Sequence, residues 1–460
     1  MDHVAVFDIG KTNLKLSVAS RAGAILETVS VANAPQPGPP YAHPDLAAQE
    51  TWLLDHLAAF ARRWPLGAII PCAHGLAGVL VDASGPVMPM IDYEQPIPPA
   101  IARRYRDLAD PYAERGSPIL LGAAHLAQQL VWLEEAWPDA VARARFLLPL
   151  AQYWAWRLSG VAATELTQLG AQSHLWDVRA GRWTSLVARR GWARLMPPLR
   201  PAWARLGGVR PEIAGRTGLA PDTAVLCGIH DSSANFYRYQ AAGLRDLAVI
   251  STGTWIVGLS DRFDAATLCE DRGMTVNSDV GGRTLAGVLT MGGREFAAVA
   301  GDAARGPPAE ARTVARVIET GTMALPAFGP DDALFPGRAG AGRIVGDGAG
   351  DGPGRRALAV IYAALLTDLC LDLLGGEGLA VLDGSSLADP LYAALIAAFR
   401  PGQRIATNAE PYGTAAGAAL LADHATRMTA AAVTLRDPAP FAHPGLAAYR
   451  ARWRSQVVGS

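Results

Sequence analysis

The first stretch of the chain alternates between apolar and polar segments in a way that predicts a hairpin of two strands. Residues 4–7 are all apolar, which is typical of a buried strand. Residues 8–13 are mainly polar and include a glycine, which predicts a turn. Leu14, Leu16 and Val18 then alternate with polar residues, the period of a half-buried strand. The pattern therefore predicts a strand, a polar turn and a returning strand.

The rest of the first hundred residues predicts further strands and a helix. Residues 25–31, 68–72 and 79–82 are short apolar stretches and predict strands. Residues 34–44 hold five prolines and predict a surface loop, whereas residues 45–64 carry apolar side chains at helical spacing. A hairpin followed by a crossover helix predicts an α/β domain with a mixed sheet.

The following hundred residues, 100–203, predict mainly helices. Residues 124–137 and 151–158 have clear apolar stripes that are rich in tryptophan, and most of these tryptophans should pack in the core. Residues 165–177 are different, because they combine turn residues with polar side chains. We interpret residues 165–177 as a loop that faces a functional site.

The middle of the chain repeats the opening pattern. Residues 224–228 predict a strand and residues 232–239 predict the first turns of a helix. Residues 247–250 and 255–259 then predict two strands around a small turn of hydroxyl residues and glycine, like the first hairpin. Two such hairpins, one near the start of each half, predict a duplicated architecture with a phosphate bound between the halves.

The last third of the chain mixes long apolar segments with irregular ones. Residues 355–374 predict a long helix and residues 379–382 predict a strand. Residues 328–354 are rich in glycine, aspartate and proline, so we expect a mobile surface loop. The segment beyond residue 441 is rich in arginine, and we expect it to be frayed.

Length and composition limit the classes of protein that the chain can belong to. At 460 residues it should form two domains, which we place at residues 1–243 and 244–460. A net charge of −1 gives no electrostatic reason for nucleic acid or an anionic membrane as the main partner. Four widely spaced cysteines favour a reducing compartment. We therefore expect a soluble cytoplasmic protein without a zinc site, and the sequence leaves a homodimer open.

The first turn combines groups that phosphate and metal ions bind. Backbone amides of a turn, the hydroxyl of Thr12, the carboxylate of Asp8 and two ammonium groups lie close together in sequence. Lys11 and Lys15 are the only lysines in the chain. The alternative is that lysine simply occupies the edge of a hairpin, where it is common.

Two further places carry polar residues just after strands. His74, Asp92 and Tyr93 are candidates to bind a polyol, because ligands collect beyond strand ends in open α/β sheets. The alternative is a capping histidine and an ordinary turn aspartate. Asp231 follows the strand at 224–228, where either it or Ser232 could be a helix N-cap. Asp231 could equally be a general base.

Three of these segments, taken in order, resemble the motifs of one enzyme family. Asp8-x-Gly10-x-Thr12, with a lysine three residues later, is similar to the first phosphate motif of the FGGY carbohydrate kinases. Residues 228–234, Gly-Ile-His-Asp-Ser-Ser-Ala, resemble the segment that holds the family's catalytic aspartate. Residues 251–255, Ser-Thr-Gly-Thr-Trp, resemble its second phosphate motif. Within the family, the residues of these motifs are most similar to those of rhamnulokinase-like and deoxyketose kinases.

The resemblance implies a fold, an activity and a set of site residues. It implies an α/β fold of two actin-like ATPase (ribonuclease H-like) domains with a cleft between them. It implies transfer of the γ-phosphate of ATP to a small-molecule sugar, a ketose or deoxyketose like L-rhamnulose, L-fuculose or xylulose. Asp231 would be the general base, Asp8 would hold Mg²⁺, and His74, Asp92 and Tyr93 would position the sugar. The residues expected to bind phosphate or nucleotide are Gly10, Lys11, Thr12, Asn13, Lys15, Thr252, Gly253, Thr254, Gly384, Ser385, Gly413 and Gly417.

One departure from the family pattern leaves other functions open. Residues 383–386 read Asp-Gly-Ser-Ser where the family usually has a run of glycines at the adenosine, and only Gly384 matches. One alternative is therefore a catalytically weak sensor that binds sugar or nucleotide. Another is an actin-like or chaperone-like ATPase whose partner is a protein, although the polar groups at His74 and Asp92 suit a small polyol better.

Overall fold

The computed structural model describes residues 2–329, 334–350 and 352–458. Its strands, in chain order, are β1 (His3–Ile9), β2 (Asn13–Ser20), β3 (Ile25–Ala32), β4 (Leu66–Ala73), β5 (Gly78–Val81), β6 (Phe146–Pro149), β7 (Trp176–Asp177), β8 (Arg182–Trp183), β9 (Arg205–Gly208), β10 (Ala224–Leu226), β11 (Ile229–His230), β12 (Leu247–Thr252), β13 (Ile256–Ser260), β14 (Met274–Ser278), β15 (Thr284–Thr290), β16 (Met323–Leu325), β17 (Arg343–Val345), β18 (Leu379–Gly384) and β19 (Arg404–Asn408).

The helices connect and cover these strands. They are α1 (Leu46–Ala61), α2 (Pro99–Leu108), α3 (Tyr112–Arg115), α4 (Leu126–Ala136), α5 (Pro138–Arg143), α6 (Leu150–Ser159), α7 (Leu166–Gly170), α8 (Ser185–Arg189), α9 (Pro211–Thr217), α10 (Asp231–Ala241), α11 (Gly292–Ala300), α12 (Ala311–Thr320), α13 (Gly352–Leu373), α14 (Pro390–Phe399), α15 (Gly413–Ala419) and α16 (Leu446–Val458). None of the described helices has both the length and the apolar character that a membrane-spanning helix needs.

The chain divides into two compact units that are not continuous in sequence. Unit 1 runs to Leu244 and also takes Val276–Thr284 and Tyr412–Ala432. Unit 2 comprises Arg245–Thr275, Leu285–Pro411 and the described residues from Val433 onward. The predicted division at residues 243 and 244 remains a prediction about domains, and two later segments of the chain cluster with the first unit.

Unit 1 is built on a mixed sheet, as the sequence predicts. The strand order is β3-β2-β1-β4-β10-β9. The three strands from β1 to β3 pair antiparallel, whereas β4 pairs parallel with both β1 and β10. Val4 and Val6 pack into one hydrophobic cluster of the unit, and Ala5 and Phe7 into another. Burial on both faces explains why β1 is apolar throughout residues 4–7.

Unit 2 repeats the same arrangement of strands. Five of its strands lie in the order β15-β13-β12-β18-β19. Strand β12 pairs antiparallel with β13 and parallel with β18, and β18 pairs parallel with β19. This is the order found from β3 to β10 in unit 1, with a hairpin first and a parallel crossover second. The duplicated architecture predicted from the two hairpins is confirmed.

The C-terminal segment forms helix α16, and the prediction that it is frayed is wrong. Tyr449 and Trp453 are fully buried in the core of unit 2, and the indole of Trp453 donates a hydrogen bond of 2.7 Å to the carbonyl of Ala324. Arg450 and Arg454 pair with the buried carboxylate of Asp368 in α13. Arg450 and Arg454 therefore form ion pairs with a buried carboxylate and do not belong to a frayed tail.

Residues 328–354 also differ from the prediction of a mobile surface loop. Positions 330–333 and 351 lie outside the described residues. Of the rest, β17 pairs antiparallel with β16, and Leu334 and Phe335 are buried in the core of unit 2. Two apolar residues in a segment dominated by glycine and aspartate are enough to fix part of it onto the core.

Replacing Trp453 tests whether α16 is part of the folded core. We expect Trp453→Ala to destabilise unit 2 by about 3–5 kcal/mol, because it leaves a large cavity and an unpaired carbonyl. Thermal unfolding should show a lower midpoint for one transition, and a two-domain chain need not unfold in a single step. Met428→Ala is the control, since Met428 is 94% exposed. Equal midpoints for both variants would contradict the prediction.

Candidate active site

Three polar residues lie at the ends of neighbouring parallel strands in unit 1. Strand β4 pairs parallel with β1 and with β11, so that Cys72 lies opposite both Asp8 and Ile229. Asp8 is near the end of β1, His74 follows β4, and Asp231 follows β11. Because the three strands run in the same direction, these side chains belong to one edge of the sheet. The charges of Asp8 and His74 both interact with that of Asp231.

Asp8 is a nearly buried carboxylate at this edge. Its Oδ2 lies 3.8 Å from the Nζ of Lys15, which is its cross-strand neighbour on β2. The pKa of Asp8 is raised to about 6 as the net effect of burial, which raises it most, of Lys15, which lowers it, and of the charge of Asp231, which raises it. A cation at Asp8 would therefore be stabilising, because desolvation opposes its negative charge.

Asp231 is the first residue of α10, and neither it nor Ser232 is the helix N-cap. That position belongs to His230, whose side chain makes no capping bond. The Oδ1 atom of Asp231 accepts hydrogen bonds from the amide of Ser232 at 2.5 Å and from its hydroxyl at 3.2 Å. Within the part of the chain that the structure describes, Oδ2 accepts no hydrogen bond. The side chain is 29% exposed, so one oxygen is held while the other is accessible.

His230 orients this carboxylate and is absent from the predicted site residues. Its Nε2 lies 3.1 Å from the Oδ1 of Asp231, and its Nδ1 lies 3.1 Å from the hydroxyl of Ser233. Burial lowers the pKa of His230, which favours the neutral ring, although Asp231 opposes this effect. The only sequence signal for this role was its position directly before Asp231.

Residues 165–177 support the strand ends from behind, and their interpretation as a loop is wrong over Leu166–Gly170, which form a helix. The segment contains α7, most of whose residues are buried. The side-chain amide of Gln168 donates to the carbonyl of Ala73 at 2.9 Å. The hydroxyl of Thr167 accepts from the amide of His230 at 3.0 Å and donates to Glu165 at 2.6 Å. These polar side chains satisfy backbone groups where the ladders of β4 and β11 end.

The same segment contributes to a buried stack of two histidines. The rings of His125 and His174 are parallel with centroids 3.7 Å apart. The ring nitrogens of His174 lie 2.6 Å from the hydroxyls of Tyr105 and Ser117. Burial lowers the pKa of His125 to about 4 and that of His174 well below its usual value. Both rings are therefore neutral in the folded protein near pH 7.

This stack makes unit 1 sensitive to acid. A histidine whose pKa is lower in the folded protein binds its proton more readily when unfolded, so stability is full above pH 6.5 and falls as the pH drops toward 4. We expect His174→Gln to weaken the dependence of the unfolding midpoint on pH between 7 and 5. His56→Gln, which alters a half-buried histidine outside the stack, should leave the dependence unchanged. Identical slopes in all three proteins would exclude the stack as its source.

His74, Asp92 and Tyr93, the three residues predicted to bind a polyol, lie together. The ring of His74 meets the ring of Tyr93 edge to face, with centroids 5.3 Å apart. The Nδ1 of His74 lies 2.6 Å from the carbonyl of Gly75, and burial lowers the pKa of His74. Asp92 accepts a hydrogen bond from the Nζ of Lys11, which was predicted to bind phosphate.

The turn between β1 and β2 is held by its own backbone and by Asn33. The amide of Gly10 donates to the carbonyl of Asn13 at 3.0 Å. The side chain of Asn33 donates to the carbonyl of Gly10 at 2.7 Å, and its amide donates to the carbonyl of Thr12 at 2.8 Å. Thr12 and Asn13 are exposed, as residues that bind phosphate should be. Asn33 is a supporting residue that the sequence patterns did not reveal.

In unit 2, the corresponding turn between β12 and β13 exposes Gly253 and Thr254. Thr252 is buried, and its hydroxyl donates to the carbonyl of Asp383 at 2.9 Å and accepts from the amide of Ser386 at 3.0 Å. The hydroxyl of Thr252 therefore joins two segments of the protein. Gly253 and Thr254 are the residues of this motif that a phosphate could reach.

A cavity of about 480 Å³ lies beside this turn. It combines glycine and hydroxyl residues of the predicted phosphate and adenosine motifs with two arginines and aromatic side chains. Eleven of its fifteen lining residues belong to no predicted motif and could not be found from the chain alone. The cavity is lined by Gly253, Thr254, Gly293, Arg294, Phe296, Ala297, Ala304, Arg356, Val360, Ala363, Ser385, Ser386, Ala388, Asp389 and Tyr392.

Gly384, the one residue that matches the family's adenosine motif, occupies a position that only glycine fits. Its φ is +97°, and a Cβ atom there would lie 2.2 Å from the carbonyl oxygen of Thr252. Gly384 ends β18 directly opposite Thr252 of β12. It thereby allows the chain to enter the segment of Ser385 and Ser386, which line the cavity.

Substituting Gly384 tests whether this contact shapes the cavity. We expect Gly384→Ala to weaken binding of a nonhydrolysable ATP analogue at least tenfold, because the new methyl group would displace Thr252 or residues 385–386. Gly375→Ala is a matched control, since Gly375 has a similar φ of +99° and no atom within 4 Å of the added Cβ. Calorimetric titration of both variants measures the effect. Equal loss of affinity in the two would assign it to backbone strain alone.

Gly413 and Gly417 belong to α15, which clusters with unit 1. A Cβ atom on Gly417 would lie 1.9 Å from the carbonyl oxygen of Ala234 in α10. Gly417 therefore permits α15 and α10 to pack at close range. Binding of nucleotide by Gly413 and Gly417 remains a prediction.

The described residues contain no group of three or more His, Cys, Asp or Glu side chains arranged to hold a metal ion. Asp8 is a single carboxylate with an accessible turn beside it. A single carboxylate suits Mg²⁺ that is bound mainly by phosphates and water, since Mg²⁺ in phosphate-transferring sites keeps several waters. The residues present are therefore compatible with Mg²⁺ brought by a nucleotide.

The two repeated mixed sheets define the two-domain, actin-like fold, and the sequence matches one family within it. Residues 105–236 match the N-terminal domain of the FGGY family of carbohydrate kinases. Residues 245–431 match the domain described as "Carbohydrate kinase FGGY, C-terminal domain". The chain belongs to the FGGY family of carbohydrate kinases.

Individual relatives extend the comparison. A carbohydrate kinase structure from Novosphingobium aromaticivorans is 33% identical with a TM-score of 0.86, covering 100% of this chain and 99% of that one. The xylulose kinase from Rhodospirillum rubrum shares the fold, with 20% identity, a TM-score of 0.76 and coverage of 99% and 98%. The L-fuculokinase of Salmonella typhi is 26% identical over 299 residues. That alignment spans 60% of this chain and 61% of the relative.

Proposed function

We propose that this protein transfers the γ-phosphate of ATP to a hydroxyl of a ketose or deoxyketose, with Asp231 as the general base. The observation that carries the proposal is the state of the Asp231 carboxylate. Its Oδ1 is fixed by Ser232 and His230, while its Oδ2 is accessible. A base held in this way can accept a proton from a bound hydroxyl without first reorganising.

The sugar is proposed to bind beside Asp231 at the ends of β1, β4 and β11. His74 and Asp92 can hold hydroxyls by hydrogen bonds, and the ring of Tyr93 offers an apolar surface to the sugar. As the attacking oxygen bonds to the γ-phosphorus, the bond from that phosphorus to the bridging β,γ-oxygen breaks and ADP leaves, while the proton of the hydroxyl passes to Oδ2 of Asp231. His230 keeps the carboxylate oriented during this step through its contact with Oδ1.

The phosphates are proposed to bind at the turns that begin each repeat. Thr12 and Thr254 are exposed and carry backbone amides and hydroxyls suited to phosphate oxygens, and the exposed Gly253 beside Thr254 leaves room for them. Lys15 supplies positive charge next to Asp8. Asp8 would hold Mg²⁺ through water, and the ion, when bound, would neutralise charge on the phosphates.

The nucleotide is proposed to occupy the cavity of unit 2. Its volume of about 480 Å³ lies in the range of pockets that hold small ligands and cofactors. Arg294 and Arg356 line it and can contact an anionic ligand. This arrangement supports ATP binding in spite of the altered adenosine motif at residues 383–386.

The names of the relatives support the class of substrate. The matched proteins include L-fuculokinases and a protein named probable L-xylulose kinase. We therefore favour an uncharged ketose or deoxyketose that is similar to L-fuculose, L-rhamnulose or xylulose. All four cysteines are free thiols and three are buried, which supports a reducing cytoplasmic location.

A coupled assay of ADP release with Mg-ATP, run across ketoses, deoxyketoses and polyols, tests the proposal. We expect turnover with one narrow group of sugars. With the best sugar, Asp231→Asn should lower kcat on the order of 10²–10⁴-fold, because the general base is lost. The affinity for sugar, measured by thermal shift, should change little. Asp222→Asn, which alters an exposed carboxylate of unit 1, should match the wild type.

The outcomes separate the proposal from the alternative sensor. Near-normal turnover by the Asp231→Asn variant would exclude Asp231 as the base. Binding of ATP without turnover on any sugar would exclude the kinase proposal and favour a protein that senses sugar or nucleotide. Hydrolysis that no sugar stimulates would favour an ATPase with another partner.

A further inference from the structure

The two lysines of the first hairpin, both expected at phosphate, contact different groups. The Nζ of Lys15 lies 3.8 Å from the Oδ2 of Asp8. The Nζ of Lys11 lies 2.5 Å from the Oδ1 of Asp92 and 3.7 Å from the Oε2 of Glu94. Lys11 also lies 5.0 Å from the centre of the Tyr93 ring. Lys11 is therefore associated with the group of residues proposed to bind sugar.

The carboxylate that holds Lys11 is itself fixed. The amide of Asp92 donates to the carbonyl of Ala42 at 2.9 Å, and its Oδ1 accepts from the amide of Glu94 at 2.9 Å. The side chain of Lys11 is 20% exposed and that of Asp92 is 10% exposed. Lys11 thus has a defined position, and its ammonium can still reach a ligand with one of its three donors.

A small cavity next to this ion pair contains an unsatisfied acceptor. It measures about 10 Å³, and Lys11, Asn33, Gln49, His74 and Asp92 are among the residues that line it. Gln49 is one of these lining residues, and its Oε1 atom is buried and has no hydrogen-bond partner among the described residues. A buried acceptor of this kind is stabilised by a donor, and the space fits one hydroxyl or one water.

The charges around Lys11 favour a neutral ligand. The ammonium of Lys11 already faces two carboxylates, those of Asp92 and Glu94. The carboxylate of Asp231 acts on the same histidine, His74, as Lys11 and Asp92 do. A sugar acid would bring a further carboxylate into this region and be repelled. A hydroxyl can accept from Lys11 and donate to Asp92 at the same time.

We propose that Lys11 is a specificity-determining residue that, together with Asp92 and Gln49, binds a hydroxyl of a neutral sugar and disfavours sugar acids. The inference rests on the proposed sugar kinase function and assigns Lys11 to the sugar instead of to the phosphate. Lys15 keeps the phosphate role. The two lysines of one hairpin thereby serve the two substrates separately.

Steady-state kinetics of Lys11→Met and Lys15→Met, with the sugar that gives the highest turnover, test the assignment. The two variants are matched, since each removes one ammonium from the same hairpin. For Lys11→Met we expect KM for the sugar to rise about tenfold or more, as for a lost hydrogen bond to a charged group, with KM for ATP unchanged. For Lys15→Met we expect the weaker binding to be that of ATP. The shift of the unfolding midpoint by sugar alone should be lost only in Lys11→Met.

The inference and the function that it rests on fail in different ways. Turnover by the wild type, combined with a Lys11→Met variant that changes KM for ATP and leaves KM for sugar unaltered, overturns the inference and leaves the kinase in place. A variant that is less stable but has unaltered KM values also overturns it, because the ion pair is then only structural. The inference is also overturned if the wild type phosphorylates the corresponding aldonate as fast as the ketose. Absence of turnover on every sugar overturns the proposed function, and the role of Lys11 with it.

Discussion

The candidate site depends on the register of three parallel strands. Because β4 pairs with β1 and β11 so that Cys72 lies opposite both Asp8 and Ile229, the following residues His74 and Asp231 emerge at the same edge. Side chains alternate between the faces of a sheet, so a slip of one residue would move every side chain of the strand to the other face. The buried, apolar positions of β1 and β4 make such a slip costly. Hydrophobic packing thus fixes the geometry of polar groups that contribute nothing to the core.

The ends of those strands would be unstable without the layer behind them. Where a ladder ends, backbone amides and carbonyls lose their partners, and in a buried place they need substitutes. Thr167 and Gln168 supply them for His230 and Ala73, and the carboxylate of Glu165 holds the start of α7. Burial raises the pKa of Glu165 to about 7, although three donors oppose this effect. Burial of the Glu165 carboxyl group costs free energy, and the protein accepts this cost because the group helps to position the ends of the strands.

The sequence predicted the elements whose signal is local. Both hairpins, the long helix α13 and the strand before Asp231 follow from apolar periodicity. The position of one hairpin near the start of each half predicts the duplicated architecture. What the sequence did not reveal depends on contacts between distant segments. Nothing near Arg450 indicates that its partner is Asp368, so the sequence pattern predicts a frayed tail where the structure has a packed helix. Likewise, the partner of Lys11 lies 81 residues away, at Asp92.

The assembly of unit 1 from three separate segments affects how the protein can fold during synthesis. Val4, Val6 and Ala19 share a hydrophobic cluster with Ala415 and Ala418 of α15, close to the other end of the chain. One face of the first sheet therefore lacks one of its covering helices until the chain has been made as far as α15. Domains usually fold in order from the N-terminus as they leave the ribosome. Here the strands of unit 1 are made long before the segment that forms α15, and the face that α15 covers must stay unaggregated in the meantime.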